Sequence, residues 1–440
     1  MARGWMVLFS LFWSNFLWAD DSALSLVDLY EASRQSDSTY QIAVHNYQAS
    51  QHEEAIGRSG LLPRVGISSR FGRGGLLDGE AQQGNQNDQF SADMATLAIS
   101  QPLYDKGRWA SYEQSKTQGE MGAVQYEIAG QQLFERVIES YFEVARMENE
   151  LKLAGQQTSS INALVKQTKR LFEAGEGTIT DTEEAQARLD LIRVQEIELQ
   201  AQHHAALRKL AGRTGIVVTR IFDMREQITI VSPLAGERNL DYWLRQARDS
   251  SPLLGRRRAS VQLAEADLKL QKAGHYPTVA LTGQLAHTEK SDLNEFSQRQ
   301  STYYVGLLLD IPLYQGGAVS ASVERAHSAL YSAQSEYDAE QQRLVEDIEL
   351  DYLGVVSGFE KSKALLTAVR SSQRALQSAE KGYQAGVRST VEILDAQQRL
   401  FAAKRDLLDT KLAMLQSYVN LHTRTGRMTL AVLREVQALF

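Results

Sequence analysis

The feature that most constrains this chain is an internal repeat, because two copies of one structural plan must fold alike and then pack together. Gln101-Pro102-Leu103-Tyr104-Asp105-Lys106-Gly107 recurs as Ile311-Pro312-Leu313-Tyr314-Gln315-Gly316-Gly317. Phe172-Glu173-Ala174-Gly175 recurs as Tyr383-Gln384-Ala385-Gly386, and Ala185-Gln186-Ala187-Arg188-Leu189 as Ala396-Gln397-Gln398-Arg399-Leu400. Leu210 with Arg213-Thr214-Gly215 is answered by Leu421 with Arg424-Thr425-Gly426, and Leu61-Leu62-Pro63 by His275-Tyr276-Pro277. The spacing stays at roughly 211 positions or within a few residues of it. Residues 20–215 and 240–426 therefore read as two copies of one unit, joined by a connecting segment at 216–239 and followed by a tail at 427–440.

Each copy runs through the same order. An amphipathic helical stretch (26–60 and 240–274) stops before a proline. From Arg64 to Phe71 the side chains alternate, with Val65, Ile67, Ser69 and Phe71 on one side. A polar loop at 72–89 and a second run ending Leu97-Ala98-Ile99 complete a β-hairpin over 64–100. In the second copy the hairpin covers 277–311, with strands from Thr278 to Ala286 and Thr302 to Ile311 around loop 287–301. Alternating runs of about 9–11 residues joined by a polar loop have the dimensions of transmembrane strands, a soluble hairpin being the other reading.

After Pro102 and Pro312 the period lengthens to that of a helix, with Leu133, Val137, Tyr141 and Val144 in one copy and Val345, Ile348, Tyr352 and Val355 in the other. No proline interrupts the next stretch of roughly 67 residues, which predicts a rod of about 100 Å and a coiled-coil partner. The returning helices, 178–212 and 388–424, reach about half of that, as do 26–60 and 240–274. Two half-length helices laid end to end match one full-length helix.

Composition narrows the function. The chain has 440 residues, of which 43% are hydrophobic, with only six prolines and no cysteine. Thiol catalysis, disulfides and thiolate metal sites are thereby removed, and the choice suits an oxidising compartment. The formal charge of −7 predicts no nucleic-acid binding. Arg3 followed by the apolar run Trp5 to Trp18 and then Ala19 reads as a secretory signal over 1–19. No cysteine follows for lipid attachment, and no later window is apolar enough for a membrane-spanning helix.

One chain then supplies four membrane strands, which cannot close a barrel, and an open edge in lipid leaves backbone groups unpaired at several kcal/mol each. Closure requires copies of the chain: two would give eight strands, three would give twelve. The helices would continue the barrel as a tube of coiled coils.

The Pro-Leu-Tyr-x-x-Gly junctions and the stretch from Tyr383 through Gly386, Arg388 and Glu392 to Ala396 carry a resemblance. The doubled plan resembles the TolC outer-membrane efflux family over essentially the whole chain beyond the signal. The resemblance implies a mainly α protomer with a transmembrane β-barrel part, a homotrimer with a 12-stranded β-barrel in outer-membrane lipid, and a long periplasmic α-helical barrel in a Gram-negative envelope. It implies an exit duct for efflux or type I secretion, without enzyme activity or cofactor. The partners it implies are a periplasmic adaptor and an inner-membrane transporter, either ABC-type or proton-driven.

The same resemblance places the gate at the far helical turns. Tyr383 and Arg388 match a latch whose acceptors are Thr180 and Asp181, and Glu392 and Asp395 match an acidic pore ring, with Glu392 replacing an aspartate. Glu392 and Asp395 lie three apart, hence on one helix face. Repeated around a symmetry axis, such a pair concentrates negative potential and favours cations. In isolation it is a solvated helix start near the positive end of the dipole. His203-His204 reads as a solvated pair, and Gly72 to Gly75 lacks the Lys-Ser/Thr of a phosphate loop. A periplasmic adaptor protein would carry one helical hairpin among β-rich modules. A coiled-coil structural envelope protein would have no alternating strands, and a hydrolase would need a triad that is missing here.

Overall fold

The computed structural model describes residues 25–75, 89–218, 221, 234, 239–291 and 297–438. The signal segment at 1–19 and most of the connecting segment lie outside the described residues. The element order is α1 (Leu26–Ser36), α2 (Ser38–Ser50), α3 (Glu53–Ser59), β1 (Arg64–Gly75), β2 (Gln89–Tyr104), α4 (Lys106–Glu173) and α5 (Ile179–Thr214). The second copy follows as α6 (Leu240–Ser250), α7 (Pro252–Ala273), β3 (Thr278–Ser291), β4 (Ser297–Asp310), α8 (Ala318–Gln384) and α9 (Thr390–Arg424), with α10 (Leu430–Ala438) behind it. The fold is mainly helical, with two β-hairpins.

The long helices have the expected lengths, 68 residues for α4 and 67 for α8, against 36 for α5 and 35 for α9. The short leading stretches differ from the single helices expected. Asp37 adopts an extended backbone and accepts from the Tyr40 amide, which ends α1 and caps α2 in one residue. Ser251 is likewise extended and ends α6, but without a side-chain capping bond; the break is set by Pro252, whose ring suits the first turn of α7.

These breaks are where the half-length helices meet. The Ser36 hydroxyl, at the end of α1, donates to the Thr214 carbonyl at 2.7 Å, at the end of α5. Its counterpart Ser250 donates to the Thr425 carbonyl at 2.9 Å, just past α9. Gly215 and Gly426 turn away there with φ of 71° and 66°. A Cβ on Gly215 would stand 2.6 Å from Ser36 Oγ, and one on Gly426 would stand 2.7 Å from Ser250 O. The joint needs glycine both for the left-handed backbone and for the close approach.

The four strands form one antiparallel sheet in the order β1-β2-β3-β4. Arg64 pairs with Ser100 in the first hairpin, and its counterpart Thr278 pairs with Asp310, the counterpart of Ser100. Both hairpins run further into the polar loops than hydrophobic alternation indicated, as far as Gly75↔Gln89 and Ser291↔Ser297. Backbone pairing needs no apolar side chains, so a polar ladder continues where the pattern is silent. One face of the sheet exposes Val65, Ile67, Phe71, Leu97, Ile99, Leu281, Leu285, Tyr303, Val305, Leu307 and Leu309. No helix among the described residues is long and apolar enough to cross a membrane, so the apolar sheet face is the surface suited to lipid.

The helices hold two separate cores. The larger joins α1, the middle of α4, the end of α5, α6, α8, the end of α9 and α10 around Tyr141, Tyr418 and Trp243. The smaller lies near the far turns and joins Ile161 and Leu164 of α4, Leu189 of α5, Leu376 of α8, and Ile393 and Leu400 of α9. The ends of the returning helices are tied down ionically. Arg424 Nη1 lies 2.7 Å from Asp347 and Nε 2.7 Å from Asp351, which also accepts from Asn420. In the first copy Arg213 reaches Ser140 and Glu139 of α4 instead.

Candidate pore constriction

The two helix-to-helix turns furthest from the sheet are built alike. Gly175 (φ 77°) and Gly386 (φ 73°) follow α4 and α8 in the left-handed conformation. The Glu176 amide reaches back to the Leu171 carbonyl at 2.8 Å, and the Val387 amide to the Gly382 carbonyl at 2.9 Å. These bonds satisfy carbonyls the helix cannot, in the manner of a Schellman cap. The next helix of each pair starts on a hydroxyl. Thr178 accepts from the Asp181 amide and Ser389 from the Glu392 amide, so Asp181 and Glu392 hold equivalent positions in the first helical turn.

Asp181 is engaged within its own chain. The Thr178 hydroxyl donates to its Oδ2 at 2.6 Å, and this bond, more than anything else, holds the carboxyl below its ordinary value. The Thr390 hydroxyl of α9, fully buried though outside full hydrogen-bond geometry to any group among the described residues, adds to the same effect. A lowered carboxyl contributes stability above its ordinary range and loses it as pH falls through the lowered value. Asp181 therefore remains an ionised acceptor through mild acidification. Thr180 beside it is exposed.

On the second hairpin, Arg388 Nη1 lies 3.0 Å from Glu392 Oε2, one helical turn on, with both side chains about half exposed. Gly382 makes room for the arginine stem, since a Cβ there would stand 2.8 Å from Arg388 Cγ. The Tyr383 ring packs against the smaller core. Asp395 is exposed on the face of Glu392, and Arg399 follows four residues later, also exposed. Between the hairpins, Arg188 donates to Gln398. The structure thus gathers all six sequence-derived residues at one end of the molecule. Within one chain it pairs Arg388 with Glu392, and Asp181 with Thr178.

Three contributors were not singled out from the sequence. Thr178 was readable, because Thr-x-x-Asp ahead of a helix is a capping signature. Thr390 and Gly382 carry no comparable signal, since their roles depend on which helix lies beside them.

The chain matches the model of a family described as outer membrane efflux protein over residues 29–215 and 243–427, one segment in each copy. It is 27% identical to the protease secretion protein PrtF of Dickeya chrysanthemi over 430 residues, covering 95% of this chain and 91% of that protein. The alkaline protease secretion protein AprF of Pseudomonas aeruginosa is 28% identical, over 96% of this chain and 88% of that one. The crystal structure of the outer membrane protein VceC from Vibrio cholerae has the same fold, with a TM-score of 0.76 at 14% identity over 91% of this chain and 96% of that one. With its duplicated helices, apolar sheet and paired far turns, this chain belongs to the outer membrane efflux protein family, the TolC-like channels, which serve as passive ducts of the Gram-negative outer membrane rather than as enzymes.

Proposed function

We propose that three copies of the chain close their sheets into a 12-stranded barrel in outer-membrane lipid, and that the duct so formed releases polypeptide delivered by an ABC-type inner-membrane transporter through a periplasmic adaptor. The observation that carries this reading is the four-stranded sheet with two unpaired edges and an apolar band of Val65, Ile67, Leu97, Ile99, Leu281, Leu285, Val305, Leu307 and Leu309 exposed on one face. Such a sheet has no stable use until lipid covers its face and further strands cover its edges. The polypeptide cargo is favoured by the protease-secretion relatives, which align over nearly the whole chain. A host that lacks its own duct but carries a protease-exporting ABC transporter and its adaptor tests the cargo. Expression of this chain is expected to restore extracellular protease. Restored drug resistance without protease export would assign it to efflux instead.

At the tip, Tyr383, Arg388, Thr180 and Asp181 form the latch and Glu392 with Asp395 the acidic ring of this proposal. Glu392→Gln with Asp395→Asn removes two charges per protomer at the narrowest point, so the cation-to-anion permeability ratio should fall several-fold. A reversal-potential measurement in a salt gradient reads this directly. An unchanged ratio would place the selectivity elsewhere.

A further inference from the structure

The repeat allows the contact between neighbouring protomers to be read from inside one chain. Within the chain, β2 of the first copy already lies beside β3 of the second. That junction joins the end of one hairpin to the start of the next, as the contact between β4 and the β1 of a neighbouring copy must. The correspondence of strands is fixed by Pro63 with Pro277 and by Pro102 with Pro312. Under it the two hairpin registers coincide, since Arg64↔Ser100 becomes Thr278↔Asp310.

Resting on the trimeric reading above, we infer that β4 of one protomer pairs antiparallel with β1 of the next in the register that β2 and β3 show within the chain. Ser100↔Thr282 then becomes Asp310↔Ser68, Ile99↔Gly283 becomes Leu309↔Ser69, and Gln101↔Leu281 becomes Ile311↔Ile67. Past the bulge at Pro102/Tyr104, Tyr104↔Val279 becomes Tyr314↔Val65.

Two observations independent of the correspondence agree with this seam. The first is the facing of side chains. The register sets the apolar side of β1 (Val65, Ile67, Phe71) against the apolar side of β4 (Ile311, Leu309, Leu307), whereas a slip of one residue would set Ile311, Leu309 and Leu307 against the side of β1 that carries Gly66, Ser68 and Arg70. The second is the unfinished end of the second hairpin. β2 continues to Tyr104 because β3 is there to pair with it, while its counterpart β4 stops at Asp310. Leu313 and Tyr314 are left 92% and 86% exposed, against 55% and 41% for Leu103 and Tyr104. A neighbouring β1 supplies the missing partner, and β4 then runs on to Tyr314.

Disulfide trapping tests the register, and the chain has no cysteine of its own to interfere. The double variant Ser68→Cys, Asp310→Cys places the two thiols directly opposite each other across the seam. In one chain they are three strands apart, about 14 Å across the sheet, and also eight residues apart along it, since Ser68 lines up with Thr96, Ala286 and Thr302, far beyond the reach of a disulfide. Oxidation of membranes should convert this variant to a covalent trimer that survives boiling without reductant. Two slipped pairs, Gly66→Cys with Asp310→Cys and Arg70→Cys with Asp310→Cys, sit diagonally and should yield roughly tenfold less. Ser100→Cys with Thr282→Cys, opposed within the chain, serves as the positive control for oxidation. A heat-sensitive trimer in which a slipped pair cross-links better than Ser68/Asp310 would overturn the register and leave the duct standing. A trimer in which no seam pair cross-links while the control does would overturn the β4–β1 contact. A chain that stays monomeric in the membrane would overturn the trimeric reading itself.

Discussion

Planar bilayers holding the Tyr383→Phe, Arg388→Ser double variant should show a conductance about tenfold above that of the unaltered duct. The size of the effect follows from repetition. An exposed ion pair contributes roughly 0.2–1 kcal/mol, so three copies around the axis bias the closed state by up to about 3 kcal/mol. Since each 1.4 kcal/mol is about a tenfold change in an equilibrium, the open population shifts between several-fold and a hundredfold. Within one chain Arg388 is held by Glu392 and Asp181 by Thr178. A latch between Arg388 and Asp181 must therefore compete with both bonds. Conductance equal to that of the unaltered duct would assign closure to another contact.

The second large effect is expected far from the tip. Arg424→Ala leaves Asp351, only 10% exposed, without its cation. Breaking a buried pair by removing one partner costs about 3–5 kcal/mol, and Arg424 is itself about a quarter exposed, so roughly 2–3 kcal/mol is expected here. Burial already raises the Asp351 carboxyl above its ordinary value, against the opposing bonds from Arg424 and Asn420. Without Arg424 it rises further. A raised folded-state carboxyl is tolerated while protonated, and stability is lost as pH climbs from the ordinary carboxylate range through the raised value. Thermal unfolding followed by circular dichroism should therefore show a deficit that grows from acidic to neutral pH. Adding Asp351→Asn should recover part of it, because the amide carries no charge to strand. A pH-independent deficit would indicate lost packing alone.

Much of this architecture was legible in the sequence because it is written in periodicity and punctuation. The paired Pro-Leu-Tyr junctions, the turn glycines and the change from a period of 2 to one of 3.6 fix element type and order without knowledge of neighbours. The helix breaks at Asp37 and Ser251 were overlooked although their signals were present, a capping aspartate and a proline in the first turn. The hairpins ran longer than expected because strand pairing past Phe71 and Ala286 is carried by the backbone, which leaves no hydrophobic trace. At the tip, the sequence located all six residues but not their partners within the chain. Which oxygen Arg388 reaches depends on a four-residue reach from the turn forward into α9, favoured here by the longer arm of Glu392. The Arg424 network was invisible, because Asp347 and Asp351 lie on a different helix far away in sequence.

The separation of the two helical cores has a consequence for how the molecule yields. Amide protons near Ile161, Leu189 and Ile393 depend on a small cluster with few large side chains, whereas those near Tyr141, Trp243 and Tyr418 depend on the larger one. The far turns can therefore open as a cooperative unit of low stability while the rest of the rod stays protected from exchange. A duct with such a division loosens at its entrance without dissolving its wall.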